Sequence, residues 1–367
     1  MRCSKTMRSR DPASAPAPQP ATRARRSHGR VTLQDVADAA GVTKITVSRY
    51  LREPARVAGE TASRIARAIE ASGYVPNKQA GMLASGRSRI VAAIVPSLAN
   101  SVFAETVQGL SDGLQASGLE LLLASSGYSI EREAEQIQAV LGWSPAALAV
   151  TGRRHTTAAM AMLRSARDAG TPIVELWDWH PRGAAFTQVG FDHADVGRAM
   201  ARHLAERGCR RLAYVDAGVV EDFRAHERGR GFLAAAGRGA TLVKALSGDA
   251  FDAGRAALAS LADGRGQPAV DGLAFANDHL ALGAMLEAQA RGWRVPQDVA
   301  LIGFGDFPMG RQLGVGLSTV HPPRYEIGLA AARVIVAQVH EAGPGEAAAS
   351  RCLDWTLIER GSTARRG

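Results

Sequence analysis

Thr43, Lys44, Ile45, Thr46, Ser48 and Arg49 place short hydroxyls and long cations within one helical stretch. Such a surface fits a groove lined with phosphates: hydroxyls and cations hold the backbone, and the longer side chains reach base edges. A second cluster, Thr151-Gly152-Arg153-Arg154-His155-Thr156, sets three adjacent basic or potentially basic groups in one loop. An arginine fork matches a carboxylate or phosphate bidentately and a histidine adds a donor, so the expected ligand is a small anion. The competing reading of that loop is a solvated charged turn, and of the first stretch a surface helical hairpin.

The first group needs two short helices to carry it. Thr32 with Asp35 three residues on predicts a capping box; Leu33, Val36, Ala37 and Ala40 form an apolar stripe; Gly41 supplies the positive-φ turn. Val42 and Val47 close the pair, and the spacing of Ala62, Ile65, Ala66 and Ile69 predicts a third helix over 60–72. This is a helix-turn-helix with the core it requires. Pro76-Asn77 then opens about two turns of helix, too short to stand without docking.

In Gly41-Val-Thr-Lys-Ile-Thr-Val-Ser-Arg49 and in Pro96-Ser-Leu-Ala-Asn-Ser-Val-Phe-Ala-Glu105 the chain resembles the LacI family of transcriptional regulators, and within it the gluconate-utilisation repressors. The resemblance runs from residue 31 to about 361. It implies a cytoplasmic homodimer that binds double-stranded DNA at a pseudo-palindromic operator. Thr43, Lys44, Ile45, Thr46 and Arg49 would then enter the major groove, with Thr32, Ser48, Arg56 and Asn77 on or near phosphates and Lys78 at the hinge. Leu83 matches the family leucine wedged into the minor groove; packing against the partner hinge is the other reading of that position.

The charge distribution agrees. Residues 1–30 carry eight cations against Asp11 and residues 31–88 eight against five acids, so their +10 exceeds the chain's +9 and the remainder is nearly neutral. A length of 367 residues, 46% of them hydrophobic, allows two or three ordinary domains, and no apolar run is long enough for a membrane span. Three cysteines without metal-type spacing indicate neither a disulfide framework nor a zinc site. The Pro-, Ala- and Arg-rich first 30 residues are expected to be a disordered basic tail without a secretory apolar region.

From residue 89 short apolar runs alternate with amphipathic helices, the pattern of parallel sheets covered on both faces. Strands are predicted at 90–95, 119–124, 147–150 and 173–176, and a second series opens at 188–190 and continues at 211–215, 241–245, 272–275 and 299–304. The fold class is thus an all-α helix-turn-helix headpiece followed by an α/β core of two lobes. The resemblance implies that this core is periplasmic-binding-protein-like, with crossings near 178–187, 320–324 and 343–350. The expected division is 1–30 tail, 31–76 DNA-binding domain, 77–88 hinge, 89–361 ligand-binding and dimerisation domain, and 362–367 tail.

Ligands of such folds lie beyond the carboxyl ends of the strands. Arg153 and His155 fall there. By resemblance Arg228 and Asn277 match effector-contacting positions, while Phe103, Glu175 and Asp192 also fall at strand ends, with packing or capping as the alternative. Gly305 stands where many sugar-binding relatives carry an aspartate, leaving Asp306 nearby, and Arg324 stands where an aromatic is common; both departures favour an acid over a neutral sugar. The expected effector is a small anionic sugar derivative, gluconate or a phosphorylated relative; a neutral sugar is the alternative. Gly229-x-Gly231-x-x-Ala234 lies a dozen residues beyond the strand at 211–215, which argues against a dinucleotide site and an NAD-dependent oxidoreductase. No P-loop, nucleophile elbow or metal-protease motif is present, so no cofactor, metal or catalysis is expected. The tail after Leu357 holds no leucine heptad, and a dimer is expected to suffice.

Overall fold

The computed structural model describes residues 31–76, 88–99, 102–182, 184–245, 248–340 and 349–364. The chain divides into two compact units, residues 1–85 and 86–367. The first holds α1 (Leu33–Ala40), α2 (Lys44–Arg52) and α3 (Gly59–Ser72). Thr32 caps α1 in a reciprocal box with Asp35, the Thr32 N–H donating to the Asp35 carboxylate at 2.7 Å. Gly41 ends α1 at φ 63, and its N–H returns to the carbonyls of Ala37 and Asp38. Val36, Ala37, Ala40, Val47, Ile65 and Ala68 fill the small core, which fixes α2 with its polar side outward. Asn77, Lys78 and Leu83 lie outside the described residues.

The second unit begins with β1 (Ile90–Val95), α4 (Phe103–Gln115), β2 (Glu120–Ser125), α5 (Ile130–Leu141), β3 (Ala147–Thr151), α6 (Thr157–Asp168), β4 (Ile173–Asp178) and β5 (Thr187–Phe191). It continues with α7 (His193–Glu206), β6 (Leu212–Asp216), α8 (Phe223–Ala236), β7 (Thr241–Lys244), α9 (Ala250–Ala259), β8 (Gly272–Phe275), α10 (Asp278–Ala290) and β9 (Ala300–Phe304). The short α11 (Met309–Gln312), β10 (Ser318–His321), α12 (Arg324–His340), β11 (Arg351–Cys352) and β12 (Thr356–Ile358) complete it. One sheet is ordered β11-β5-β4-β3-β1-β2 and the other β12-β10-β9-β8-β6-β7. Both repeat one doubly wound order, and the β12–β10 pair is antiparallel. Such an order reverses direction between β1 and β3, and again between β6 and β8, and leaves a crevice at each carboxyl edge.

Three expectations are corrected here. The strand at 187–191 does not open the second series: it pairs in parallel with β4 and completes the first sheet, so the chain crosses at about 192 rather than within 178–187. The last crossing lies between β11 in the first sheet and β12 in the second, beyond 343–350. Ser362 and Thr363, assigned to a tail, are fully buried; the Ser362 hydroxyl donates to the Leu301 carbonyl at 2.6 Å and ties residues 362–363 into the second sheet. β10, α12, β11 and β12 were not predicted. Buried residues on α12 occur at 324, 327, 328, 331, 332, 334, 335 and 337, more than half of the circumference and including an arginine, a glycine and three alanines, so no sharp apolar stripe marks it.

Candidate functional site

The outward side of α2 is the first candidate surface. Thr43 caps the helix, its hydroxyl accepting from the Thr46 N–H at 3.3 Å and lying 2.9 Å from the Thr46 hydroxyl. Lys44, Ile45 and Arg49 are exposed; Ile45, an apolar side chain 70% exposed on a folded helix, has no partner in the headpiece core. Ser48 is half-buried and meets Arg52 at 3.3 Å, while Arg56 is paired with Glu53 at 2.6 Å and remains largely exposed. Thr32 is committed to its capping box.

The second candidate is a cavity of about 430 Å³ at the carboxyl edges of both sheets. Phe103, Tyr128 and Trp177 come to it from the first lobe, and Arg224, Arg228, Asn277 and Phe304 from the second. Arg224 and Arg228 are one turn apart on α8, so both face the cavity. The helix is held tightly against α7: a Cβ on Gly197 would lie 1.9 Å from the Arg228 carbonyl, so that position accepts glycine alone. Arg228 sits 3.8 Å above the Phe304 ring, donates to the Ala276 carbonyl at 2.8 Å and approaches His193 Nδ1 at 3.1 Å. His193 Nε2 is 2.8 Å from the Trp177 carbonyl, which only accepts, so Nε2 carries the proton and Nδ1 accepts from Arg228. Burial, then the nearby Arg228 and Arg224, hold His193 well below its usual pKa and neutral.

Arg224 differs from Arg228 in its partners. It is 8% exposed, stacks 5.6 Å from the Phe103 ring and, among the described residues, makes no hydrogen bond or ion pair. The nearby Asp178 carboxyl is buried, and burial lifts it to about 6 against the opposing charges of Arg224 and Arg153. Arg228 Nε is likewise unpartnered. A buried polar atom left unmet, as Arg228 Nε is among the described residues, is costly inside a protein unless something binds it.

Of the residues expected to hold the effector, Phe103, Arg228 and Asn277 line this cavity. Asn277 also caps α10, its side chain accepting from the Leu280 N–H at 3.0 Å. Arg153 instead lines a neighbouring void of about 30 Å³, where it pairs with Glu227 at 2.6 Å and donates its backbone N–H to Asp178. His155 does not reach the cavity. Its side chain is fully buried between Glu133, at 2.8 Å, and Glu175, at 3.9 Å. Burial opposes its protonation, but the two carboxylates outweigh it and raise its pKa to about 9. Glu175 accepts from Gln188 at 2.7 Å and is spent inside the first lobe. Asp192 caps α7, and Asp306 is held by Arg360 and Arg311 at 2.6 and 2.8 Å. Arg324 is engaged by the Gly305 carbonyl and Glu105. The sequence reading missed Arg224, although its place four residues before Arg228 on one helix was the available signal. It also missed His193, Asp249 and His279, which only the fold brings to the cavity.

The described residues thus hold a helix-turn-helix headpiece and, as a separate unit, a two-lobed α/β core with a cavity, the two parts of a ligand-responsive DNA-binding regulator. The family model for bacterial regulatory proteins, lacI family, matches residues 32–77, and that for a periplasmic binding protein-like domain matches residues 201–363. The HTH-type transcriptional regulator GntR of Pseudomonas aeruginosa is 38% identical over 344 residues, 92% of this chain and 97% of that protein. The GntR regulator of Escherichia coli K12 is 35% identical over 336 residues, covering 91% and 98%. A crystal structure of a LacI-family regulator from Silicibacter pomeroyi superposes with a TM-score of 0.82 at 31% identity, over 91% of this chain and all of the other. The chain therefore belongs to the LacI family and is a DNA-binding transcriptional regulator, not an enzyme. Among the described residues no helix is long and apolar enough to cross a membrane, and no cluster of ligating side chains is suited to a metal.

Proposed function

We propose that this regulator is a cytoplasmic homodimeric repressor whose operator binding is controlled by a small sugar acid of the gluconate type in the α/β cavity. The single observation that carries the acid reading is the pair Arg224 and Arg228, one turn apart on the cavity wall and neither in an ion pair among the described residues, although Asp178 lies near Arg224. A carboxylate bridging Arg224 and Arg228 satisfies both cations, whereas a neutral hexose leaves that charge uncompensated. The similarity to regulators named GntR supports the same class. The anion site moves from the expected Arg153, His155 and Arg228 to Arg224 and Arg228.

On the DNA side, Thr43, Lys44, Ile45, Thr46 and Arg49 take the major groove, with Ser48, Thr32 and Arg56 toward the phosphates. The exposed Ile45 suits apolar contact with a thymine methyl. A pseudo-palindromic operator requires a two-fold protein, so two copies read two half-sites. An effector that favours the DNA-incompetent arrangement must, by linkage, be weakened by DNA to the same degree. A gel-shift titration tests both halves. Arg49→Ala is expected to weaken operator binding by about 1 to 3 kcal/mol. Gluconate, but not glucose, is expected to release the wild-type complex. Release by glucose alone defeats the acid reading, and unchanged affinity of the Arg49 variant defeats the groove assignment.

A further inference from the structure

Asp249 stands on the same cavity wall as the two arginines but pairs with neither. Its Oδ1 accepts from the Phe251 and Asp252 N–H groups at 2.9 and 3.3 Å as the cap of α9, and its Oδ2 has no hydrogen-bond partner among the described residues. Beside it lies His279, stacked 4.6 Å from Phe307 and edge-on to Phe251 at 5.3 Å. Burial lowers the His279 pKa, against the pull of Asp249, so the ring is neutral and offers one donor and one acceptor. Arg224, by contrast, abuts the first lobe: it lies over Phe103, and a Cβ on Gly152 would fall 2.7 Å from its Nη1. One cavity thus presents, beside Asp222, which caps α8, a cation without an ion pair against first-lobe groups near Asp178, and on second-lobe groups an exposed Asp249 whose Oδ2 makes no hydrogen bond among the described residues, with a neutral imidazole beside it.

Charges of opposite sign that line one cavity without meeting select a ligand with two unlike ends. The anionic end belongs with the guanidiniums. The other end meets an acceptor that repels anions and welcomes hydroxyl donors.

We propose that Asp249, with His279, is the specificity-determining group for the uncharged polyol end of the effector, so that the cavity accepts an unphosphorylated aldonate and rejects one bearing a terminal phosphate. This rests on the acid-effector reading and narrows it. A phosphate carries close to two negative charges at neutral pH and brings them against Asp249, whereas a terminal hydroxyl donates to the same oxygen.

Calorimetry of the full-length protein with D-gluconate and with 6-phosphogluconate tests it, alongside Asp249→Asn, which keeps a good cap for α9. The wild type is expected to bind gluconate at least about ten-fold more tightly than the phosphorylated acid, a gap of about 1.4 kcal/mol. Asp249→Asn is expected to bring the two within about three-fold, chiefly by gaining affinity for the phosphate, with its melting temperature unchanged. Equal or tighter binding of 6-phosphogluconate by the wild type overturns the inference while leaving the acid reading intact, and this arm needs no variant. A ratio that the variant leaves unmoved overturns the role of Asp249. Failure of both acids to bind overturns the acid reading, and this inference with it.

Discussion

Two sets of basic side chains were drawn to the same cleft, and the fold treats them oppositely. Arg153 and His155 follow β3 in a loop that reads as a ligand clamp, yet each has its counter-charge built in: Glu227 and Asp178 for the arginine, Glu133 and Glu175 for the histidine. Arg224 and Arg228 lie on α8 in a segment rich in both charges, and among the described residues neither makes an ion pair with a carboxylate, although Asp178 lies near Arg224. A cation near a cavity therefore says little about ligand charge until its partners are known. On the acid reading proposed above the cavity pair takes its anion from the ligand, whereas the loop pair already has carboxylates of the protein beside it.

If this contrast is right, the largest effect of removing a loop cation falls on stability. His155→Ala strands two buried carboxylates and is expected to cost about 3 kcal/mol in urea unfolding at pH 7. Gluconate affinity should stay within about two-fold. The pH dependence gives a second readout. Because the folded-state pKa of His155 is raised to about 9 from 6.5, its contribution is full below about 6.5 and is lost as pH rises through about 9. Wild-type stability should therefore fall between pH 7 and 9.5, and His155→Ala should flatten that decline. A variant as stable as the wild type with gluconate binding abolished would reverse the contrast.

Arg224→Met is expected to do the opposite. Losing a charge-assisted pair to the carboxylate should weaken gluconate about 100-fold, about 2.7 kcal/mol, by calorimetry. Stability should change by about 1 kcal/mol or less, since Arg224 makes no ion pair among the described residues and the apolar chain that replaces it offsets the charge lost beside Asp178. Operator retention in the absence of ligand should persist, because the headpiece surface is untouched.

The uneven legibility of the sequence has the same origin. The headpiece was readable because its determinants are local: Thr32 and Asp35, Gly41 and the spacing of Val36, Ala37 and Ala40 all act within a few residues. The alternating strands of the core were readable for the same reason. β5 was assigned to the wrong lobe because no local pattern says which sheet a short strand joins; that is set by pairing with β4. α12 escaped because its buried face is broad and built of Arg324, Gly328 and alanines as well as aliphatic residues, which blurs the apolar stripe. The site was harder still, since whether a cation is available depends on partners such as Glu227, 74 residues from Arg153, and Glu133, 22 residues from His155. Spacing reveals none of that. The i, i+4 relation of Arg224 to Arg228 was a local clue to the pair that lines the cavity.

The smallest expected effect is the sharpest test. Arg153 is 28% exposed and sits beside the cavity rather than in it, so Arg153→Met should change gluconate affinity by less than about two-fold. Its cost in stability should also be modest, about 1 kcal/mol or less, because Glu227 keeps Arg154 and Arg230 at 3.5 Å after the change. Near-silence in both assays is what a cation satisfied by its own neighbours predicts, and it separates the two arginines that line the neighbouring voids. If Arg153→Met instead loses gluconate as completely as Arg224→Met, then Glu227 must release Arg153 when ligand arrives. The loop would then be a second clamp, held in reserve by an ion pair that the effector breaks, and the difference between the two sets of cations would be one of timing rather than of role.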